Sequence, residues 1–306
     1  MSNGFRSWLN GLSYGGEKVH ENLTIIPIVS SNGRGPLFLT LAKAIEDKLV
    51  EVREKEIVAT VSEVVLINKS KEHVLIIDGD HLIGAKQNRV VNKTIIVPPR
   101  SQIVIPVSCT EQGRWHFVSE NFIRGQYSAP SAIRRILKEK KEAQVEVWRE
   151  VWERLDTLGV HSDTSSLAEA FCKIDPKVEE SKKAFSPLPS QVGFMVFQYG
   201  GFKGLDILGN PSLFSQLYDG LIGGYVIDAV CSKDGKERKK AKALTRDGII
   251  KHILEAEARP AEAIGVEERT SIMSDRVIGE YVGFQGKPVH LSVFPKEKRR
   301  RGRWFI

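Results

Sequence analysis

The densest set of chemistry-bearing side chains in the chain runs from Asp78 to Asn92: Asp78-Gly79-Asp80-His81, then Lys86-Gln87-Asn88-Arg89, then Asn92. Lysine and arginine are the usual partners of phosphate, arginine through a planar bidentate fork. Lys86 and Arg89 are therefore candidate phosphate-binding residues, with Gln87, Asn88 and Asn92 as amides that orient sugar or base. A carboxylate beside cations can be held in a defined protonation state, which makes Asp80 and Glu111 the candidates for general acid or base. Asp78, Asp80 and His81 also have the ligand types of a divalent-metal site. Asp-Gly-Asp is equally a hairpin turn whose carboxylates satisfy local backbone donors, and the turn is the favoured reading, so no metal site is assigned.

A second group, Cys109-Thr-Glu111-Gln-Gly-Arg114-Trp115, follows an apolar run. Cysteine-based phosphatases and rhodaneses place an arginine shortly after a nucleophilic cysteine, with loop amides cradling an oxyanion. Here the arginine comes one residue early for the phosphatase loop. Trp115-His116-Phe117-Val118 also has strand character, so no helix N-terminus follows to lower the thiol pKa. Glu111 and Arg114 read better as a mutually supporting pair, with Arg114 among the ligand-binding residues. Asp206 and His290 lie in apolar strands and are read as polar residues satisfied within the core. The dinucleotide, P-loop, zinc-protease and nucleophile-elbow signatures are missing from the sequence, and no cofactor is specified.

What must position these residues is a β-rich stretch. From Val50 to Val118 short β-type runs follow one another, separated by turn-forming pieces, which predicts a sandwich or a strongly bent antiparallel sheet. The run His81–Val91 is read as one strand. In a regular strand Lys86, Asn88 and Asn92 would share one face and Gln87 and Arg89 the other, unless a bulge at Gly84 shifts the pattern. A packed face has no use for so many polar groups, so a pocket, an interface or a sheet edge is implied.

Upstream, Leu23–Ser30 predicts a strand with Pro27 at an edge or bulge, and residues 39–49 a short amphipathic helix. Downstream, Ile133, Ile136, Leu137, Val147, Val151 and Leu155 predict a long helix with a charged reverse face, ending at Gly159. A second helix is expected over Ser165–Cys172, then a proline-punctuated linker over 175–189. A hairpin (Val192–Tyr199 with Gly204–Leu208) and a helix opened by Asn210-Pro211 come next. Another helix near Leu244–Ala258 precedes closing strands that include Val277–Phe284 and Pro288–Phe294. The expected fold class is α+β. It has an N-terminal antiparallel, sandwich-like β-rich part (1–120) and a connector with the long central helix (121–189). A C-terminal mixed α/β part (190–295) and a basic tail (296–306) complete it.

Three scattered cysteines, Cys109, Cys172 and Cys231, argue against a disulfide framework and for reduced thiols. No apolar run approaches the roughly 18 residues of a membrane span, and the N-terminus has no secretory-signal pattern, so a soluble cytoplasmic protein without a membrane partner is expected. The formal charge is +7, of which Lys296–Arg303 supplies +5, leaving only +2 for the body. Such a tail is a candidate contact for nucleic acid or an acidic protein partner.

Gly84-Ala-Lys-Gln-Asn-Arg89 with Asn92, then Ile105-Pro-Val-Ser-Cys109 and Glu111-x-Gly-Arg-Trp115, resembles the signature of the ARG and rhodanese-phosphatase-superfamily-associated protein family, where ARG denotes ADP-ribosylglycohydrolase. The helix at Val147–Trp152, the Gln191–Gly209 hairpin and the closing Val289-His290-Leu291…Phe294 resemble it too, so the likeness covers roughly residues 20–295. The family pattern carries the longer glutamate where this chain has Asp80. The resemblance implies a phosphorylated-nucleotide or ADP-ribose-like ligand, bound or processed, or else a non-enzymatic scaffold beside enzymes of that kind.

Overall fold

A computed structural model describes residues 1–31, 33, 35–55, 61–140, 142–232 and 244–296. The tail beyond Lys296 and the basic stretch 236–242 lie outside the described residues. Among the described residues the chain is α+β, with seven helices and three sheets whose pairings are antiparallel except for one.

Helix α1 (Asn3–Asn10) leads into β1 (Ser13–Tyr14), β2 (Lys18–His20) and β3 (Leu23–Val29). Pro27 sits where β3 changes partner, between Ile25, the last residue paired with β2, and Ile28, the first paired with β1. A residue without an N–H fits that gap in the ladder. Next come β4 (Leu39–Thr40), α2 (Leu41–Glu46), β5 (Val50–Arg53), β6 (Glu63–Asn68), β7 (Val74–Ile76), β8 (His81–Gly84), β9 (Arg89–Val91), β10 (Ile95–Val97), β11 (Ser101–Cys109) and β12 (Phe122–Arg124). Six of these form a sheet in the order β12-β8-β9-β11-β6-β5, and β10-β7-β4 form a small one. An antiparallel bridge between Arg53 and Asn121 joins the two edges of the six-stranded sheet, so it curls nearly shut around Leu66, Leu82, Val91, Ile105 and Phe122.

Helices α3 (Ser131–Glu139), α4 (Gln144–Leu158) and α5 (Leu167–Ala184) follow, then β13 (Gln191–Gln198), β14 (Gly201–Leu208), α6 (Pro211–Val230), α7 (Arg246–Glu255), β15 (Glu257–Ala261), β16 (Glu268–Met273), β17 (Val277–Phe284) and β18 (Lys287–Pro295). Strands β1–β3 and β13–β18 make one nine-stranded sheet, so residues 13–29 pair with the C-terminal part of the chain. One face of it is covered by α3–α6 and the other by α1 and α7, which is why every residue of β13 is buried. Asn210 opens α6 as read from sequence: its side chain accepts from the Ser212 N–H at 2.8 Å, a cap worth about 1 kcal/mol.

Four expectations change. Residues 115–118, read from sequence as a strand, are irregular, between β11 and β12. The run His81–Val91 is not one strand but the hairpin β8–β9, with Leu82 opposite Arg89. The predicted long helix is two. Lys140 leaves helical geometry (φ −126°, ψ 138°) because α4 starts from a different anchor: Gln144 accepts from the Cys109 N–H and donates to the Cys109 carbonyl, both at 2.8 Å. Finally, α5 runs through Pro176 into the predicted linker. Proline costs one helical hydrogen bond there, and burial of Phe171, Ile174 and Val178 on either side offsets it.

Candidate functional site

The turn before β8 is a true Asp-Gly turn: Gly79 has φ +94°, and a methyl group there would lie 2.7 Å from Arg134 Cδ. At the end of β8, Gly84 (φ +119°) leaves the strand and sends Ala85–Asn88 across the hairpin tip. Strand alternation then sorts the side chains. Leu82 and Arg89 face the interior of the curled sheet, while His81 and Val90 face outward toward the helices.

The motif residues are largely bonded to one another. Arg89 is fully buried; its guanidinium donates to the Val61 carbonyl at 3.0 Å and Gln87 Oε1 at 3.2 Å, and it pairs with Glu54 at 3.4 Å. Asn88 Oδ1 accepts from the Gly84 N–H at 2.9 Å and from Arg114 at 3.2 Å, and its Nδ2 donates to Ser166 Oγ at 3.1 Å. Glu111 accepts from Arg114 at 2.6 Å, Thr164 Oγ1 at 2.7 Å and the Asn88 N–H at 3.0 Å. Burial would raise the Glu111 carboxyl, but these donors outweigh it and hold the carboxyl below the usual range. Glu111 and Arg114 are thus the pair read from sequence. Glu111 also ties the hairpin tip to the chain entering α5, through Thr164 and its bridge to Ser166.

Asp80 belongs to another circle: Oδ1 lies 3.2 Å from Arg124, and Oδ2 accepts from the Ile77 N–H at 3.0 Å. Lys86 is half-buried, with its ammonium 5.4 Å from the Trp115 ring centre and 5.0 Å from that of Phe117. Asn92 lies past the hairpin, with Oδ1 enclosed and lacking a hydrogen-bond partner among the described residues. Cys109 is buried, and burial pushes its thiol up, the reverse of what a nucleophile requires.

Asp78 turns the other way, into a buried network that the sequence did not announce. Arg134 on α3 donates to Asp78 at 3.2 Å and bidentately to Asp206 on β14 at 2.6 and 2.9 Å. His290 on β18 lies 3.2 Å from Asp206 and 2.8 Å from Thr94, while Tyr225 donates to Asp206 at 2.8 Å. Lys138 pairs with Asp78 at 3.2 Å and Glu280 at 3.7 Å. Burial alone would raise both aspartates. Arg134 above all reverses this, placing Asp206 at about 2 and Asp78 well below the carboxylate range. Asp206 and His290 are core residues with satisfied partners, and they do reach the 78–92 segment. Asp78, Asp80 and His81 aim at three different sets of partners.

Outward from β8, a cavity of about 360 Å³ opens between His81 and Ile83, the loop Gly125–Tyr127, and one face of α5 made by Ala168, Phe171, Cys172 and Asp175. His81 Nε2 is hydrogen-bonded to Thr110 Oγ1 at 2.8 Å. Its Nδ1 lies against Gly125, where no side chain intervenes; a methyl group at 125 would be 3.4 Å from it. Burial and the nearby Arg124 drive the His81 pKa down to about 3, so the ring is neutral at physiological pH. The Phe171 and Tyr127 rings lie 5.4 Å apart, and Tyr127 donates its hydroxyl to Asp175. Sequence reading missed this wall because it ended the helix at Cys172. Residues 168, 171, 172 and 175 nevertheless carry the i, i+3, i+4, i+7 spacing of one helical face.

The fold and this geometry define a mixed α+β protein in which a polar motif braces a hairpin beside a ligand-sized cavity. The chain belongs to the ARG and Rhodanese-Phosphatase-superfamily-associated Protein domain family, whose model matches residues 11–294. Neither a curated protein nor a solved structure matches it. No described helix is long and apolar enough to cross a membrane.

Proposed function

We propose that this chain binds a phosphorylated-nucleotide or ADP-ribose-like small molecule in the cavity beside His81, in the cytoplasm, as a binding protein more than a processing enzyme. The observation that carries the reading is an aromatic-walled space of about 360 Å³, lined by the buried, neutral His81 imidazole and within the range of small-ligand pockets. Binding is favoured over processing because Asp80 and Glu111, the candidate acid and base, are each held by an arginine. Lys86 is the motif cation that is only half-buried; Arg89 and Arg114 are buried and brace the hairpin. A thermal-shift series with ADP-ribose, NAD and nucleotide phosphates tests this. A ligand present at a hundred times its Kd contributes about 2.7 kcal/mol, several degrees in melting temperature. Ala168→Phe, which fills the cavity, removes the shift; no shift with any member of the series overturns the reading.

A partner-binding role is favoured by a different observation: Trp115 (47% exposed) and Phe117 (57%) present aromatic surface beside Lys86. Aromatic residues beside a cation are typical of interface centres. A protein partner retained by the wild type and lost on Lys86→Glu, with no small ligand bound, would select that reading.

A further inference from the structure

We infer that the cavity beside His81 receives the base end of its ligand, a flat heteroaromatic ring bearing N–H groups, and that phosphates stay outside it. This rests on the ligand-binding reading above and names which part of the ligand the site selects.

Three features of the cavity point the same way. Its walls are rings: Phe171 packs at 5.4 Å from Tyr127 and 6.2 Å from the His81 imidazole, so a planar guest meets aromatic surface. Its polar groups favour N–H donors. Asp175 supplies a carboxylate and Gln126 an amide on the lining. Its charge excludes phosphate. No lysine or arginine is among the described lining residues, and the one charged group there is the Asp175 carboxylate, which repels an anion. The nearest guanidinium, Arg124, already serves Asp80 and the Gln126 carbonyl. A volume of about 360 Å³ is at the small end of ligand pockets, enough for a base or nucleoside and not for a whole dinucleotide.

The test titrates adenosine, ribose 5-phosphate, inorganic pyrophosphate and ADP-ribose into the full chain by calorimetry. Alkylation of Cys172 by iodoacetamide, followed by peptide mass spectrometry, gives a local readout, since Cys172 is exposed at the rim while Cys109 is buried. Adenosine is expected to bind, compete with ADP-ribose and slow Cys172 alkylation about tenfold at saturation, with ribose 5-phosphate and pyrophosphate doing neither. Phe171→Ala should weaken adenosine about ten- to a hundredfold through lost stacking. Asp175→Asn and Ala168→Phe, at the helix surface, keep the test valid if Phe171→Ala misfolds: both should reduce adenosine binding while circular dichroism is unchanged. If ADP-ribose binds but adenosine neither competes nor protects Cys172, or if a phosphate compound alone protects it, the base assignment is overturned and the ligand-binding reading survives. If none of the four binds, both fall.

Discussion

Asp78 and His81 stand three residues apart, yet they serve opposite ends. Asp78 enters a buried network that joins the curled sheet to the nine-stranded one through Arg134, Asp206 and His290, where each charge meets an opposite one. His81 faces a wall poor in charge and rich in rings, where Nε2 is engaged by Thr110 and Nδ1 lies beside Gly125 at the cavity lining. The denser polar cluster is therefore the structural one. A crowd of polar residues inside a protein marks what must be mutually satisfied; a cavity lined by rings and few polar groups marks where something can still be recognised.

The sharpest way to break this contrast is Arg134→Met. It strands Asp78 and Asp206 in the core, and loss of one partner of a buried ionic network costs about 3–5 kcal/mol, read by urea unfolding. A cost below about 1 kcal/mol would show that the network is not structural and reopen it as a candidate site. Arg89→Ala belongs to the same class. It should lower stability by about 1.5–3 kcal/mol, since Glu54 and Gln87 lose a charged donor, and should not act as a clean ligand-binding variant.

Acid unfolding sharpens the contrast further. Asp78, Asp206 and Glu111 have folded-state pKa values below their unfolded ones, so their contribution is complete above about pH 5 and is lost as pH falls, for Asp206 down to about 2. His81 acts in another window. Its folded pKa of about 3 lies below the ordinary 6.5, so the unfolded state binds the extra proton and stability declines as pH falls from 6.5 toward 3. His81→Gln should flatten the stability–pH curve between 6.5 and 4 and leave the lower limb intact; an unchanged slope there would mean that His81 is not held neutral. The smallest effect is expected from Lys86→Ala, within about 0.5–1 kcal/mol, because only cation–π contacts are lost. A larger loss would place Lys86 within the hairpin's bracing.

Legibility in the sequence followed the range of each interaction. The Asn210 cap, the hairpin of β13 and β14, the Gly159 stop and the Glu111–Arg114 pair are local, and their residue types and spacing suffice. The division at Lys140 was not legible, because Gln144 pairs with Cys109, which is 35 residues away. Nor was the burial of Arg134 and Lys138, which sit on the face that charge alone assigns to solvent.

By itself, the sequence determined the α+β class, the Asp-Gly turn, the family signature and the polar crowding of residues 78–115, since all of these are written in composition and short spacing. Only the tertiary structure decided which of those polar groups are spent on one another. It curled one sheet until Arg89 faced inward, packed α5 against β8, and left His81 Nδ1 beside Gly125. The physical reason is that hydrogen-bond satisfaction is a property of partners brought together from distant parts of the chain, and no single stretch carries that information.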